Sequence, residues 1–221
     1  MTYDGNVSVG GPAQTRELPG LTITKVAVGP MDNNAYLLRC TSTGNLLLID
    51  AANEPETLLG LLGGESLGTI VTTHRHGDHT AALEAVARET GADTIAHVED
   101  APAIPLAPTM LVSHGDTISV GEAALKIIHL RGHTPGSIAI LYDGDGALAD
   151  QPHLFTGDSL FPGGPGNTQQ DRDRFSSLIT DLEERIFADL PDGTWVYPGH
   201  GKDTTLGAER PHVPEWRARG W

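Results

Sequence analysis

The eight residues Thr73-His74-Arg75-His76-Gly77-Asp78-His79-Thr80 constrain this chain more than any other stretch. Three imidazoles and a carboxylate fall within six residues, directly after the apolar run Thr69-Ile70-Val71-Thr72. A short run of that kind reads as a buried strand, so the cluster is delivered at a strand end. His74 and His76 lie two apart, and in an extended segment residues i and i+2 face the same side. One cation can be gripped by both. Gly77 lets the chain turn, and Asp78 and His79 then face a different point. The spacing predicts two adjacent metal positions that need further ligands from elsewhere in the chain.

Three other residues sit in similar settings. His133 follows Arg131-Gly132, Asp158 follows Phe155-Thr156-Gly157, and His200 follows Tyr197-Pro198-Gly199. Each comes after an apolar strand-like run, beside a glycine that permits close backbone approach. A carboxylate can bridge two cations with its two oxygens, which makes Asp158 the natural bridge. Asp50, at the end of Leu46-Leu47-Leu48-Ile49, places a further charge at the mouth of a sheet.

Periodicity supplies the frame. Residues 1–20 are rich in Gly, Pro and small polar residues and read as a loose leader, with a single domain over 21–221. Strands are expected at Leu21 to Val28, Ala35 to Thr41, Leu46 to Ile49, Leu67 to Thr72 and Thr94 to Val98. More follow at Thr117 to Val120, Ala124 to Leu130, Ser137 to Tyr142, His153 to Thr156 and Thr194 to Tyr197. Helices are expected at Pro55 to Leu62, Thr80 to Thr90 and Arg174 to Leu190, the last with Phe175, Leu178, Ile179, Leu182 and Ile186 on one stripe. This order suits two packed sheets with helices outside and a site where strand ends converge.

Composition excludes some partners. With 14 basic against 29 acidic residues the net charge is −15, which argues against nucleic acid and against an anionic membrane surface. No apolar run approaches the ~20 residues of a membrane helix. The N-terminus lacks a signal pattern, so a cytoplasmic location is expected. The lone Cys40 reads as a packing residue. His97, His114, His129, His153 and His212 lack the ligand spacing and are assigned no metal role. Ser137 and Ser159 read as turn or cap residues, leaving no protein nucleophile.

Taken together, His74-x-His76-x-Asp78-His79, Gly132-His133-Thr134-Pro135-Gly136-Ser137, Thr156-Gly157-Asp158-Ser159-Leu160-Phe161 and Pro198-Gly199-His200-Gly201 resemble the successive motifs of the metallo-β-lactamase-fold hydrolases. Asp50 matches that family's early aspartate, and the likeness runs from about Leu21 to His200. The resemblance implies an α/β fold, a four-layer αβ/βα sandwich of two packed mixed β-sheets flanked by helices. It implies that His74, His76 and His133 hold a first metal, that Asp78, His79 and His200 hold a second, and that Asp158 bridges them. Asp50 then stands behind the ligands. The cofactor implied is two divalent metal ions, zinc by default, with iron or manganese also suited to these donors. Asp78 and Asp158 carry the catalysis by holding the metals that activate a bridging water against a carbonyl.

Within that family the residues around Asp158, and Asp32-Asn33-Asn34-Ala35-Tyr36, resemble glyoxalase II-type thioester hydrolases, also known as hydroxyacylglutathione hydrolases. The substrate implied is a small acyl thioester. The alternatives are a lactone or ester hydrolase and a mononuclear-iron persulfide dioxygenase. Glyoxalase II enzymes carry a C-terminal helical extension that contacts glutathione, whereas 21 residues follow His200 here. Lys202, beside the last motif, is a candidate substrate contact. The partner expected is therefore a small molecule, and the oligomeric state is left open.

Overall fold

The computed structural model describes residues 3–220. The first sheet has seven strands in sequence order: β1 (Gln14–Leu18), β2 (Leu21–Val28), β3 (Asn33–Cys40), β4 (Leu46–Ile49), β5 (Leu67–Val71), β6 (Asp93–His97) and β7 (Met110–Val112). Its first four strands pair antiparallel and its last four parallel. The second sheet comprises β8 (Thr117–Val120), β9 (Ala123–His129), β10 (Ile138–Tyr142) and β11 (His153–Gly157), together with β14 (Trp195–Pro198) and β15 (Thr204–Thr205). Only β11 and β14 run parallel there. The hairpin β12 (Leu160–Phe161) and β13 (Gly164–Pro165) lies between them in sequence.

Helices α1 (Pro55–Leu61) and α2 (Leu83–Thr90) cover the outer face of the first sheet, and α3 (Arg172–Leu182) and α5 (Val213–Arg219) that of the second. A one-turn α4 (Leu206–Glu209) precedes α5. The layers are set by strand period. In β4, Leu47 and Ile49 face the second sheet while Leu46 and Leu48 face α1 and α2. An uninterrupted apolar run marks such a strand because both its faces are buried. The inner layer joins Leu21, Ile23 and Tyr36 to Ile127, Ile140 and Phe155. Among the described residues no helix is long and apolar enough to cross a membrane.

Two expectations change. The leader is not loose throughout: Gln14–Leu18 forms edge strand β1, paired with β2 from Gln14 opposite Lys25 to Leu18 opposite Leu21. Tyr3 donates to Asp203 at 2.7 Å, fastening the segment before β1 to the far end of the chain. The alternation in Gln14–Leu18 is too polar to announce a strand, since only the edge of a sheet holds it. The long helix from Arg174 starts earlier, at Arg172, where Asp171 accepts the amides of Asp173 and Arg174. After Leu182 it widens into one turn with an Ala188 N–H to Glu183 carbonyl bond.

Candidate metal centre

The strands that carry the site end along one edge. Strands β4 and β5 run parallel, so Asp50 and the Thr73–His79 loop emerge side by side. The loops after β9, β11 and β14 bring in His133, Asp158 and His200. Asn33, opening β3, bridges to His200 across the two sheets. At Gly199 a Cβ would stand 2.1 Å from Asp158 Oδ1, so the approach of this loop requires glycine.

All seven predicted side chains meet here. Ligand-type atoms lie within 4.8 Å of one another in three overlapping groups: His74 with His76 and His133, Asp78 with His79 and His200, and His74 with His79 and Asp158. Asp158 lies between the first two. Its Oδ2 stands 3.6 Å from His133 Nε2 and 3.4 Å from His200 Nε2, and its Oδ1 stands 3.3 Å from His79 Nε2.

The imidazoles are oriented from behind. His133 Nδ1 donates to the Asn167 carbonyl and His200 Nδ1 to the Met31 carbonyl, each at 2.8 Å. His79 Nδ1 lies 2.8 Å from Asp50 Oδ2. Thr73 Oγ1 donates to Asp50 Oδ2 at 2.8 Å, so its oxygen accepts from His74 Nδ1 at 3.1 Å. Four rings thus carry a proton on Nδ1 and present Nε2 to the centre, which is how a protein fixes the tautomer of a metal ligand. His76 presents Nδ1 instead, 2.9 Å from His133 Nε2. Asp50 also accepts the Thr73 amide at 2.7 Å. It therefore stands behind His74 and His79 rather than among the grouped donors.

Charge is concentrated in this volume. Burial opposes the charge on His79, but Asp50 and Asp158 outweigh it and raise the pKa to about 10. Burial, helped by the positive charge on His79, holds His74 well below the ordinary histidine value. Burial would raise Asp158, but hydrogen bonding by His200 and His79 holds it far below the usual carboxylate range. Among the described residues the buried His74 Nε2 makes no hydrogen bond, and Asp158 Oδ1 has the 3.3 Å approach of His79 Nε2. Buried polar atoms without partners are costly unless an ion or water meets them. Unmet lone pairs in a cage of imidazoles and carboxylates fit divalent cations of the zinc, iron or manganese type.

Lys202 is exposed, and its charge acts on the Asp4 carboxylate. A second lysine, Lys25, also touches the His200 loop, its Nζ donating to the Gly201 carbonyl at 2.8 Å. His97 and His129 stack at 3.9 Å, and His153 accepts from the Tyr197 hydroxyl at 2.9 Å. Cys40 is buried in the inter-sheet core. Three site residues escaped sequence reasoning. Asn33 Nδ2 donates to Asp78 Oδ2 at 2.8 Å, Arg174 donates to the carbonyls of Gly132 and His133, and Asp100 accepts the Arg75 amide, between His74 and His76, and the Thr134 hydroxyl, just after His133. A run of two asparagines in a turn was the one available signal. A lone Asp or Arg on a different element carries none.

The model of the metallo-beta-lactamase superfamily matches residues 28–200. A hydroxyacylglutathione hydrolase of Polaromonas sp. is 36% identical over 170 residues, which cover 76% of this chain and 62% of that protein. The chain thus spans less than two thirds of that relative's length. Among solved structures, ETHE1 from Myxococcus xanthus superposes with a TM-score of 0.76 at 28% identity, covering 89% of this chain and 84% of that one. A metallo-beta-lactamase from Staphylococcus aureus gives 0.76 at 26% identity, over 90% and 63%. The expected sandwich of two mixed sheets with flanking helices is the one observed, and by the span of the match this chain belongs to the metallo-beta-lactamase superfamily.

Proposed function

We propose that this protein is a two-metal hydrolase of small acyl thioesters. The observation that carries the reading is the position of Asp158, in reach of donors from both the His74–His76–His133 and the Asp78–His79–His200 groups. The first group would hold one cation, the second another, and Asp158 would serve both. Bound there, such a pair supplies Lewis acidity that activates water at neutral pH and polarises a carbonyl.

The chain's own contribution is orientation. Asp50, the Asn167 and Met31 carbonyls and Thr73 hold four imidazoles with Nε2 inward, so no ring needs to reorganise when a ligand binds. Asn33 holds Asp78. Phe161, its ring centroid 6.3 Å from that of His200, and Met31, which is exposed, give the rim apolar surface suited to a small acyl group. The thioester class is supported by the 36% identity to a hydroxyacylglutathione hydrolase. The part of that relative outside the matched region leaves the thiol portion of the substrate open.

The test is turnover of S-lactoylglutathione and a panel of acyl thioesters and lactones, with bound metal counted in the same preparation. Hydrolysis of at least one thioester is expected. If two metals are bound and no thioester is turned over, the substrate class is wrong. A mononuclear iron dioxygenase would instead show one iron per chain and consume oxygen. The completeness of the Asp78–His79–His200 group favours two metals over one.

A further inference from the structure

Asp100 lies in the loop after β6, outside every motif that drew attention in the sequence, and it is fully buried. Its Oδ2 accepts the Arg75 amide at 3.0 Å and the Thr134 hydroxyl at 2.5 Å, and its Oδ1 accepts the Gly136 amide at 2.8 Å. These donors belong to two loops from different sheets. Arg75 separates His74 from His76, and Thr134 follows His133.

The Asp100 contacts form a closed set. The Ser137 hydroxyl donates to Thr134 Oγ1 at 2.6 Å and accepts the Thr134 amide at 3.1 Å, which leaves the threonine proton for Asp100. A Cβ at Gly136 would stand 2.6 Å from the Asp100 amide nitrogen, so the His133 loop is seated directly on this residue. A buried carboxylate is costly unless its charge and lone pairs are met. Three donors meet it here, with the Arg75 guanidinium 3.8 Å away. Asp50 serves both groups, His79 directly and His74 through Thr73, while Asn33 on Asp78 and the Met31 carbonyl behind His200 support the second group.

We propose that Asp100 is the positioning residue of the first metal position. It sets the spacing of His74, His76 and His133, and so governs the affinity of that position without touching the cation. This rests on the two-metal reading above. Asp50 reaches both groups, but the donors that meet the Asp100 carboxylate lie beside His74, His76 and His133, so the first position can be weakened on its own.

Zinc affinity measured against a competing chelator tests this without recourse to activity. His133→Ala and His200→Ala identify which binding step belongs to which position. Asp100→Asn, which replaces an acceptor oxygen with an amide facing N–H donors, should weaken the step lost in His133→Ala by ~10- to 100-fold and leave the other within ~3-fold. Thr134→Val removes one hydroxyl and should weaken the same step by less. It decides the matter if Asp100→Asn does not fold. Unchanged affinities in the folded variants, or equal weakening of both steps, would overturn the proposal. Wild-type protein that takes up no zinc, iron or manganese would instead overturn the metal reading itself, and this inference with it.

Discussion

At the scale of single residues, the centre is built from groups that need one another. Asp158 lies within 3.6 Å of donors of both groups, whereas His74 Nε2 makes no hydrogen bond among the described residues. Asp158→Ala should therefore lower the metal content from about two per chain to below one, and it should cost more than the ~10- to 100-fold in affinity typical of an outer partner. Elemental analysis after dialysis measures this, and retention of two tightly held metals would show that Asp158 is not shared. Asp50→Asn should act more mildly, in the range of an outer partner, because it disturbs His79 and His74 through Nδ1.

His79 also sets a pH dependence. Its pKa of about 10 means that the metal-free ring is protonated at neutral pH, and a cation must displace that proton. Metal uptake should release protons, and affinity should rise with pH by up to about tenfold per unit for each proton released. Calorimetric titration in buffers of different ionisation enthalpy detects the release. An apparent enthalpy independent of the buffer would contradict the protonated ring.

At the scale of elements, β11 has chemistry at both ends. Its C-terminal end presents Asp158, and its first residue, His153, is buried between the sheets. Burial first, and the nearby Arg16 second, lower the His153 pKa from 6.5 to about 4. The neutral ring suits its neighbours: Arg16 donates to the Tyr197 hydroxyl, which donates to His153 Nδ1. The unfolded chain binds this proton near pH 6.5 and the folded one only near pH 4. Stability from this group is thus complete above about 6.5 and lost as pH falls towards 4, by a total on the order of 3 kcal/mol. His153→Gln, which keeps an acceptor for Tyr197, should flatten that part of the acid limb in metal-free protein. Urea unfolding of both forms across this range is the measurement, and parallel pH profiles would exclude His153 as the source.

At the scale of the whole molecule, the first and last parts of the chain meet at a buried ammonium. Lys25 Nζ donates to the Gly5 carbonyl, the Gly201 carbonyl and Asp203 Oδ1 at 2.8, 2.8 and 2.6 Å. Removing one partner of a buried pair leaves the other charge unpaired, a loss of about 3–5 kcal/mol. Lys25→Met should destabilise the protein by roughly that amount, since among the described residues the side-chain donors left to Asp203 are those of Tyr3 and Trp195, both uncharged. A shift in the denaturant midpoint checks it, and a neutral substitution would mean that packing compensates for the charge.

The sequence by itself pointed to the seven candidate donors, and the family resemblance supplied the division of His133 and His200 between two groups. His74 to His79 sit in one short loop, and strand period with adjacent glycine marked His133, Asp158 and His200 as strand-end residues. These signals are local, because a period of two or a glycine at a turn acts over a few residues. The apolar runs of β4 and β5 were legible for the same reason. Tertiary structure decided what holds the donors in place. The acceptors behind His133 and His200 are backbone carbonyls of Asn167 and Met31, which have no residue-type signature. Asp100 and Lys25 are ordinary charged residues until the fold buries them against partners far along the chain. The polar stretch 14–18 becomes a strand only because the edge of β2 offers it hydrogen bonds. The candidate donors could be read because each is marked by a pattern of a few neighbouring residues, whereas their supports depend on which loops the two packed sheets bring together.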